Sequence, residues 1–198
     1  MEEGSVTSPN GQTRLVVVVG HPRPGSRTYA VATRAASLLK AALDSGGLPV
    51  AGPDIIDLAE LAPHLLNTWS GGTRSSRALD AVSRSPLLLV ASPTFRGAYS
   101  GLLKLFLDLL PRDGLESSVV VPLMTAGLAA HRGCLESTLR PVLIELRAEV
   151  PAAGISVLET ELAGFDEVFG AWWAANGRVV RSAIRDRAWR YREEVTPC

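Results

Sequence analysis

Two hydroxyls, Ser26 and Thr28, and two guanidinium groups, Arg23 and Arg27, are gathered in the short run Gly20-His21-Pro22-Arg23-Pro24-Gly25-Ser26-Arg27-Thr28. Hydroxyl and guanidinium donors held close together are suited to binding an anion. The run follows five aliphatic residues, Leu15 to Val19, four of them β-branched, which fit a strand buried on both faces. From Tyr29 onward the apolar positions Val31, Ala35, Leu38, Leu39 and Ala42 fall at helical spacing. The order is therefore strand, loop, helix, and a loop so placed aims backbone N–H groups and the positive end of a helix dipole at its contents. His21 adds a ring N–H donor, and in its cationic form a charge that favours phosphate.

What the loop lacks narrows the anion. Gly20 and Gly25 have the glycine spacing of a nucleoside-triphosphatase loop, but Ser26 and Arg27 stand where lysine and a hydroxyl residue are needed. The next buried strand, Leu87 to Ala91, ends in Ser92 rather than a magnesium-holding aspartate. The dinucleotide fingerprint G-x-G-x-x-G is also missing. A hydroxyl-rich turn without a metal ligand suits a single phosphate monoester. Other chemistry finds little support: Cys134 has no activated-thiol motif, and Ser92 and Ser100 lie in no G-x-S-x-G elbow. His64 has no partner at a metal-ligand interval, and His131, near a helix start, is expected to pack.

These loops need elements to hold them. After the first helix, Asp44-Ser45-Gly46-Gly47 forms a stop, a short strand is expected around Asp54 to Leu58, and Ala62 to Arg74 reads as loop. A helix through Arg77 to Ser83 leads into the strand Leu87 to Ala91, then the segment 93–101 and a helix from Leu102 to Leu110. A strand Val119 to Met124 ends in Thr125-Ala126-Gly127, a helix runs from about His131 to Arg147, and a fifth strand lies near Ile155 to Leu158. The last helix, Arg178 to Arg192, carries a stripe of Val179, Val180, Ala183, Ile184, Arg187 and Tyr191.

Alternation of strand and helix argues for an α/β three-layer sandwich, a five-stranded parallel sheet with helices on both faces. The flavodoxin-like order 2-1-3-4-5 is expected, with its crevice beside the carboxyl ends of strands one and three. Residues 20–28, 93–101 and 125–130 all leave strands at that rim, so one ligand is able to touch all three. Residues 1–13 read as a loose, disordered polar arm and residues 14–198 as a single domain. With 46% hydrophobic residues the chain has enough apolar content for one such core.

The motifs also carry a resemblance. The turn Gly20 to Thr28, the segment Ala91-Ser92-Pro93-Thr94-Phe95-Arg96-Gly97-Ala98-Tyr99-Ser100-Gly101-Leu102-Leu103-Lys104 with Asp108, and Thr125-Ala126-Gly127 followed by His131 and Leu139-Arg140-Pro141-Val142-Leu143 together resemble the NAD(P)H-dependent FMN reductases, in particular the branch serving sulfonate-type two-component monooxygenases. The likeness covers most of residues 15–160. It implies hydride transfer from NADH or NADPH to FMN, with reduced flavin passed to a partner monooxygenase. It implies further that Ser26, Arg27 and Thr28 bind the FMN phosphate, that Pro93, Thr94, Phe95, Arg96 and Gly97 line the isoalloxazine, and that Thr125, Ala126 and Gly127 cap its far edge. Backbone N–H groups near Arg96 and Gly97 would approach flavin N5 and O4, and no catalytic side chain is required because the chemistry belongs to the flavin. His21, Phe95 and Ala126 depart from the Ser or Asn, Tyr and Gly usual in this family. An added methyl at Ala126 implies weaker binding or flavin held only as a transient substrate.

Partners follow from charge and surface. Twenty basic residues balance 20 acidic ones, which disfavours nucleic acid and anionic membranes, and no run approaches a membrane span. The six arginines from Arg178 to Arg192 are interrupted by Asp186 and read as a solvated face. Two cysteines, Cys134 and Cys198, make no disulfide framework, so a cytoplasmic location is expected. The helix Leu102 to Leu110 leaves only Lys104 and Asp108 polar and implies a homodimer or homotetramer through this face; cover by the Trp172-Trp173 segment is the alternative. Rival functions are an FMN electron carrier, disfavoured by zero net charge, a quinone, azo or nitro compound reductase, and a relative that has lost flavin redox activity.

Overall fold

The computed structural model describes residues 12–66 and 73–195, without the side chains of residue 73 and residues 188–195. Five strands, β1 (Thr13–Val19), β2 (Val50–Asp57), β3 (Leu87–Phe95), β5 (Val119–Ala126) and β6 (Ile155–Leu158), form a parallel sheet in the order β2-β1-β3-β5-β6. A two-residue strand β4 (Ala98–Tyr99) folds back antiparallel on the end of β3. With β4 set aside, this is the flavodoxin-like order expected from the alternation.

Strand side chains alternate between faces, and each face has its own core. Leu15, Val17, Val19, Leu89 and Leu123 pack against α1 (Arg27–Ser45) and α6 (Phe165–Val195). Val16, Val18, Leu88, Val90 and Met124 pack against α2 (Leu58–Leu65), α3 (Thr73–Ser83), α4 (Gly101–Leu107) and α5 (Arg140–Glu145). The central strands are near-continuous apolar runs because both faces are covered.

Several boundaries differ from the sequence expectation. β2 begins at Val50 rather than near Asp54, since Gly52 and Pro53 are accommodated by a register shift beside Arg14 and Val16. β2 is an edge strand, where a bulge and a proline are tolerated. Gly52 has φ 96°, and a Cβ there would lie 2.7 Å from the Leu15 carbonyl oxygen. The expected loop from Ala62 overlaps α2, which contains Pro63; the Asp57 carboxylate caps it by accepting from Ala59 N–H at 3.0 Å, and Leu58, Leu61 and Leu65 are buried. Residues 67–72 of that expected loop lie outside the described residues, as do residues 1–11 of the expected arm, the Tyr191 side chain and Cys198.

The helix expected from His131 to Arg147 is instead a 3-10 turn (Ala129–His131), a π-helical stretch (Leu135–Leu139) and α5. The last helix begins 13 residues earlier than Arg178, at Phe165, so Trp172 and Trp173 are helical. Both pack with Phe169 against the α1 face, and Trp173 stacks on Phe169 at 6.2 Å. They therefore lie across the sheet from α4 and do not cover it.

Candidate functional site

Gly20 ends β1 at the carboxyl rim, where its N–H donates to the Ala91 carbonyl at 2.7 Å and its carbonyl accepts from the Ser100 hydroxyl. Ser100 also caps α4, accepting from Leu103 N–H at 3.1 Å, while its own N–H donates to Ser92 Oγ at 2.9 Å. Ser92 completes the chain by donating to the Pro93 carbonyl. These buried serines join the residue after β1 to the end of β3 and the start of α4, so the expected loop 93–101 begins as strand, through Phe95, and moves with the first loop.

The first loop turns at Gly25, φ 61°, and enters α1 through Ser26, whose hydroxyl accepts from Tyr29 N–H at 3.1 Å. A serine N-cap leaves the Arg27 and Thr28 N–H groups at the helix mouth, together with the positive end of the dipole. Thr28 is buried, and its hydroxyl lies 2.9 Å from that of Thr125 at the end of β5. Three loops are thus bonded into one rim.

His21 is buried, its ring and that of Phe95 meeting edge-to-face with centroids 5.7 Å apart. His21 Nδ1 lies 3.0 Å from the Arg23 N–H and 3.2 Å from the Arg23 carbonyl oxygen, accepting from the first or donating to the second according to its tautomer. Burial holds the imidazole below its ordinary 6.5, opposed by the Arg23 carbonyl and Asp57 and aided by the charges of Arg23 and Arg27. The shift favours the neutral ring, which still offers one N–H.

Around this rim opens a cleft of about 350 Å³, lined by His21, Arg23, Ser26, Arg27 and Thr28, by Pro93, Thr94 and Phe95, and by Thr125 and Gly127. Of the sequence candidates, Arg96, Gly97 and Ala126 are not in the lining. Arg96 and Gly97, φ 55° and 81°, form the two-residue turn of the β3–β4 hairpin, a left-handed pair suited to closing such a hairpin. Ala126 is buried and pairs with Leu158 in the sheet, so its methyl group does not stand in the cleft. His131 is half-buried outside the lining and His64 is exposed. Among the described residues no cluster of His, Cys, Asp or Glu could hold a metal.

The structure adds Pro24, Gly25, Glu159 and Leu162 to the wall. The last two belong to the 3-10 turn Glu159–Gly164 after β6. Glu159 Oε1 lies 2.9 Å from Arg27 Nη2. In a parallel sheet every strand delivers its following residues to the same rim, and that rule applied to the correctly placed strand Ile155–Leu158 would have found them.

The donor set fits a flavin mononucleotide. A helix mouth with Ser26, Thr28, Arg23 and Arg27 suits its phosphate, and the exposed Phe95 ring offers an aromatic wall for a flat heterocycle. The Thr94 hydroxyl is buried in this wall with no partner among the described residues, a position that calls for a ligand or water.

The fold and rim define a flavodoxin-like nucleotide-binding protein. The sequence profile of the NADPH-dependent FMN reductases matches residues 13–162, and the chain belongs to that family. It is 34% identical over 146 residues to the FMN reductase (NADPH) of Escherichia coli K12, covering 72% of this chain and 71% of that one. It is 31% identical over 147 residues to the NADH-dependent FMN reductase SfnF of Pseudomonas putida, covering 72% and 75%. Among solved structures, an oxidoreductase from Corynebacterium diphtheriae superposes with a TM-score of 0.77 at 29% identity over 89% of this chain and 98% of that one. The apo form of the NADH:FMN oxidoreductase EMOB superposes with 0.72 at 26% identity over 90% of each. The chain is thus an NAD(P)H-dependent FMN reductase.

Proposed function

We propose that the cleft between the loops after β1, β3 and β5 is where this enzyme takes FMN and a nicotinamide nucleotide, and that the reduced flavin goes to a partner monooxygenase. Ser26, Arg27 and Thr28 hold the phosphate with the N–H groups at the mouth of α1. Pro93, Thr94 and Phe95 would line the ring and Thr125 and Gly127 its far edge, with Arg96 and Gly97 at the hairpin tip beyond the lining. The observation that carries this reading is the hydrogen-bonded union of the three loops around one opening. When bound, the flavin would supply the hydride acceptor; the chain's own residues would hold its phosphate and shield its ring from water.

The α4 face supports a homodimer or homotetramer: Leu102, Leu105 and Leu109 are only half-buried, and the tryptophans that might have covered them lie on the opposite side of the sheet. Lys104 Nζ and Asp108 Oδ1 pair at 2.5 Å on that helix. Among the described residues no helix is long and apolar enough to cross a membrane, and Cys134 is unpaired in any disulfide. We place the enzyme in the cytoplasm, where nicotinamide nucleotides are reduced. NADH or NADPH oxidation followed by absorbance, with and without added FMN, tests the reading. Turnover that requires FMN supports a reductase with flavin as substrate; FMN-independent turnover with a quinone, azo or nitro acceptor overturns it in favour of a flavoprotein of that other kind.

A further inference from the structure

Arg27 faces two demands. It stands at the first helical position of α1, in the wall of the anion cleft, yet its guanidinium already holds the carboxylate of Glu159 at 2.9 Å. Among the described residues Glu159 is the only carboxylate in the lining, and it opens the 3-10 turn after β6. That turn is braced next door: Glu161 accepts from Leu158 N–H at 2.9 Å, and Arg132 holds Glu161 while donating to the Ser156 carbonyl. The carboxylate is thus carried on an anchored segment, while both members of the pair keep substantial exposure, 68% for Arg27 and 44% for Glu159. Exposed pairs of this kind are weak and exchange partners readily.

Resting on the reading of the cleft as the FMN site, we propose that Glu159 is a built-in competitor for Arg27, which the flavin's phosphate must displace on entry and which reclaims the guanidinium on exit. A phosphate offers Arg27 a two-pronged partner, so exchange is favourable, but the gain is reduced by what the carboxylate already supplies. Glu159 is a positioning residue that sets how firmly the phosphate is kept and favours a flavin that comes and goes. The effect depends on the phosphate and on Arg27, and it fades at high salt, where screening acts within about 3 Å.

The test is a set of titrations by flavin fluorescence quenching with FMN and with riboflavin, which has the same ring and no phosphate. The proteins are the wild type, Glu159→Gln, Glu159→Asp, Arg27→Ala and the Glu159→Gln/Arg27→Ala double variant, each checked for unchanged thermal unfolding without flavin. Glu159→Gln is expected to bind FMN about three- to tenfold more tightly, to lower KM for FMN without raising kcat, and to leave riboflavin within about twofold. Glu159→Asp should stay near the wild type, and Glu159→Gln should gain at most about twofold once Arg27 is absent. Weaker FMN binding by Glu159→Gln, an equal gain for riboflavin, or a full gain without Arg27 overturns the proposal. If no protein in the set binds either flavin and FMN supports no turnover, the flavin reading of the cleft fails and this inference falls with it; binding with equal constants throughout overturns the role of Glu159 alone.

Discussion

The hydroxyls of Thr28 and Thr125, 97 residues apart in sequence, meet at 2.9 Å inside the rim of the sheet. This one bond ties the mouth of α1 to the end of β5 and sets the distance between the two ends of the cleft. Replacing either threonine by valine keeps the shape but strands the other hydroxyl in a buried place, at a cost of about 1–3 kcal/mol. Removing both should cost less than the sum of the single changes, because no hydroxyl is then left unpaired. Urea unfolding of the two single variants and the double variant checks this, and strict additivity would show that the bond is not formed.

Ser26 is expected to serve folding and binding through different atoms. Its oxygen accepts from Tyr29 N–H, and Ser26→Ala removes that cap at about 1 kcal/mol of stability. The hydroxyl hydrogen remains free to donate to phosphate. Ser26→Gly, which costs a cap only a few tenths of a kcal/mol, should therefore retain most of the stability while weakening FMN and sparing riboflavin. Parallel melting curves and flavin titrations separate the two roles; equal losses for FMN and riboflavin would remove the hydroxyl from the phosphate site.

The pH dependence follows from His21. Burial keeps its folded-state pKa below 6.5, so the unfolded chain takes up more protons as pH falls through that value. The stability supplied by the neutral ring is therefore present above pH 6.5 and is lost on acidification, as a charged imidazole is disfavoured where it is buried. Asparagine can pair with the Arg23 backbone N–H or carbonyl without titrating. His21→Asn should lose less stability than the wild type between about pH 7.5 and 5.5, read as the difference of two urea series. A wild type and variant with parallel pH profiles would show that the ring titrates freely.

Strands were legible where both faces are covered, because Leu15 to Val19 and Val119 to Met124 are apolar without interruption. β2 was half-hidden because an edge strand admits the Gly52-Pro53 pair that reads as a break. Pro63 concealed α2, and Gly170 and Gly177 concealed the first half of α6, where packing of Phe169 and Trp172 decides the helix rather than local preference. The hairpin at Arg96-Gly97 left no signal, since arginine is an unusual choice at a positive φ. At the rim, Ser26, Thr28, Pro93 and Thr125 were readable from their place after strands. Glu159 also follows a strand at that rim and was open to the same rule, but its residue type marked no binding group until Arg27 is found beside it.

Gly20 carries the last prediction. Its φ is unremarkable, so its small size matters for space alone: a Cβ there would lie 2.6 Å from Leu103 Cβ and 3.3 Å from the Ala91 carbonyl oxygen. Gly20→Ala forces β1 and α4 apart, at about 1–3 kcal/mol. The shift also lengthens the bond from Ser100 to the Gly20 carbonyl, which joins the first and second loops, so flavin affinity should fall together with stability. Shortening Leu103 to alanine cannot rescue the variant, because the atom in the way is its Cβ, which alanine retains. A Gly20→Ala protein that unfolds at the wild-type urea midpoint, or that regains stability in the Gly20→Ala/Leu103→Ala background, would mean that β1 and α4 are not packed as tightly as this contact requires.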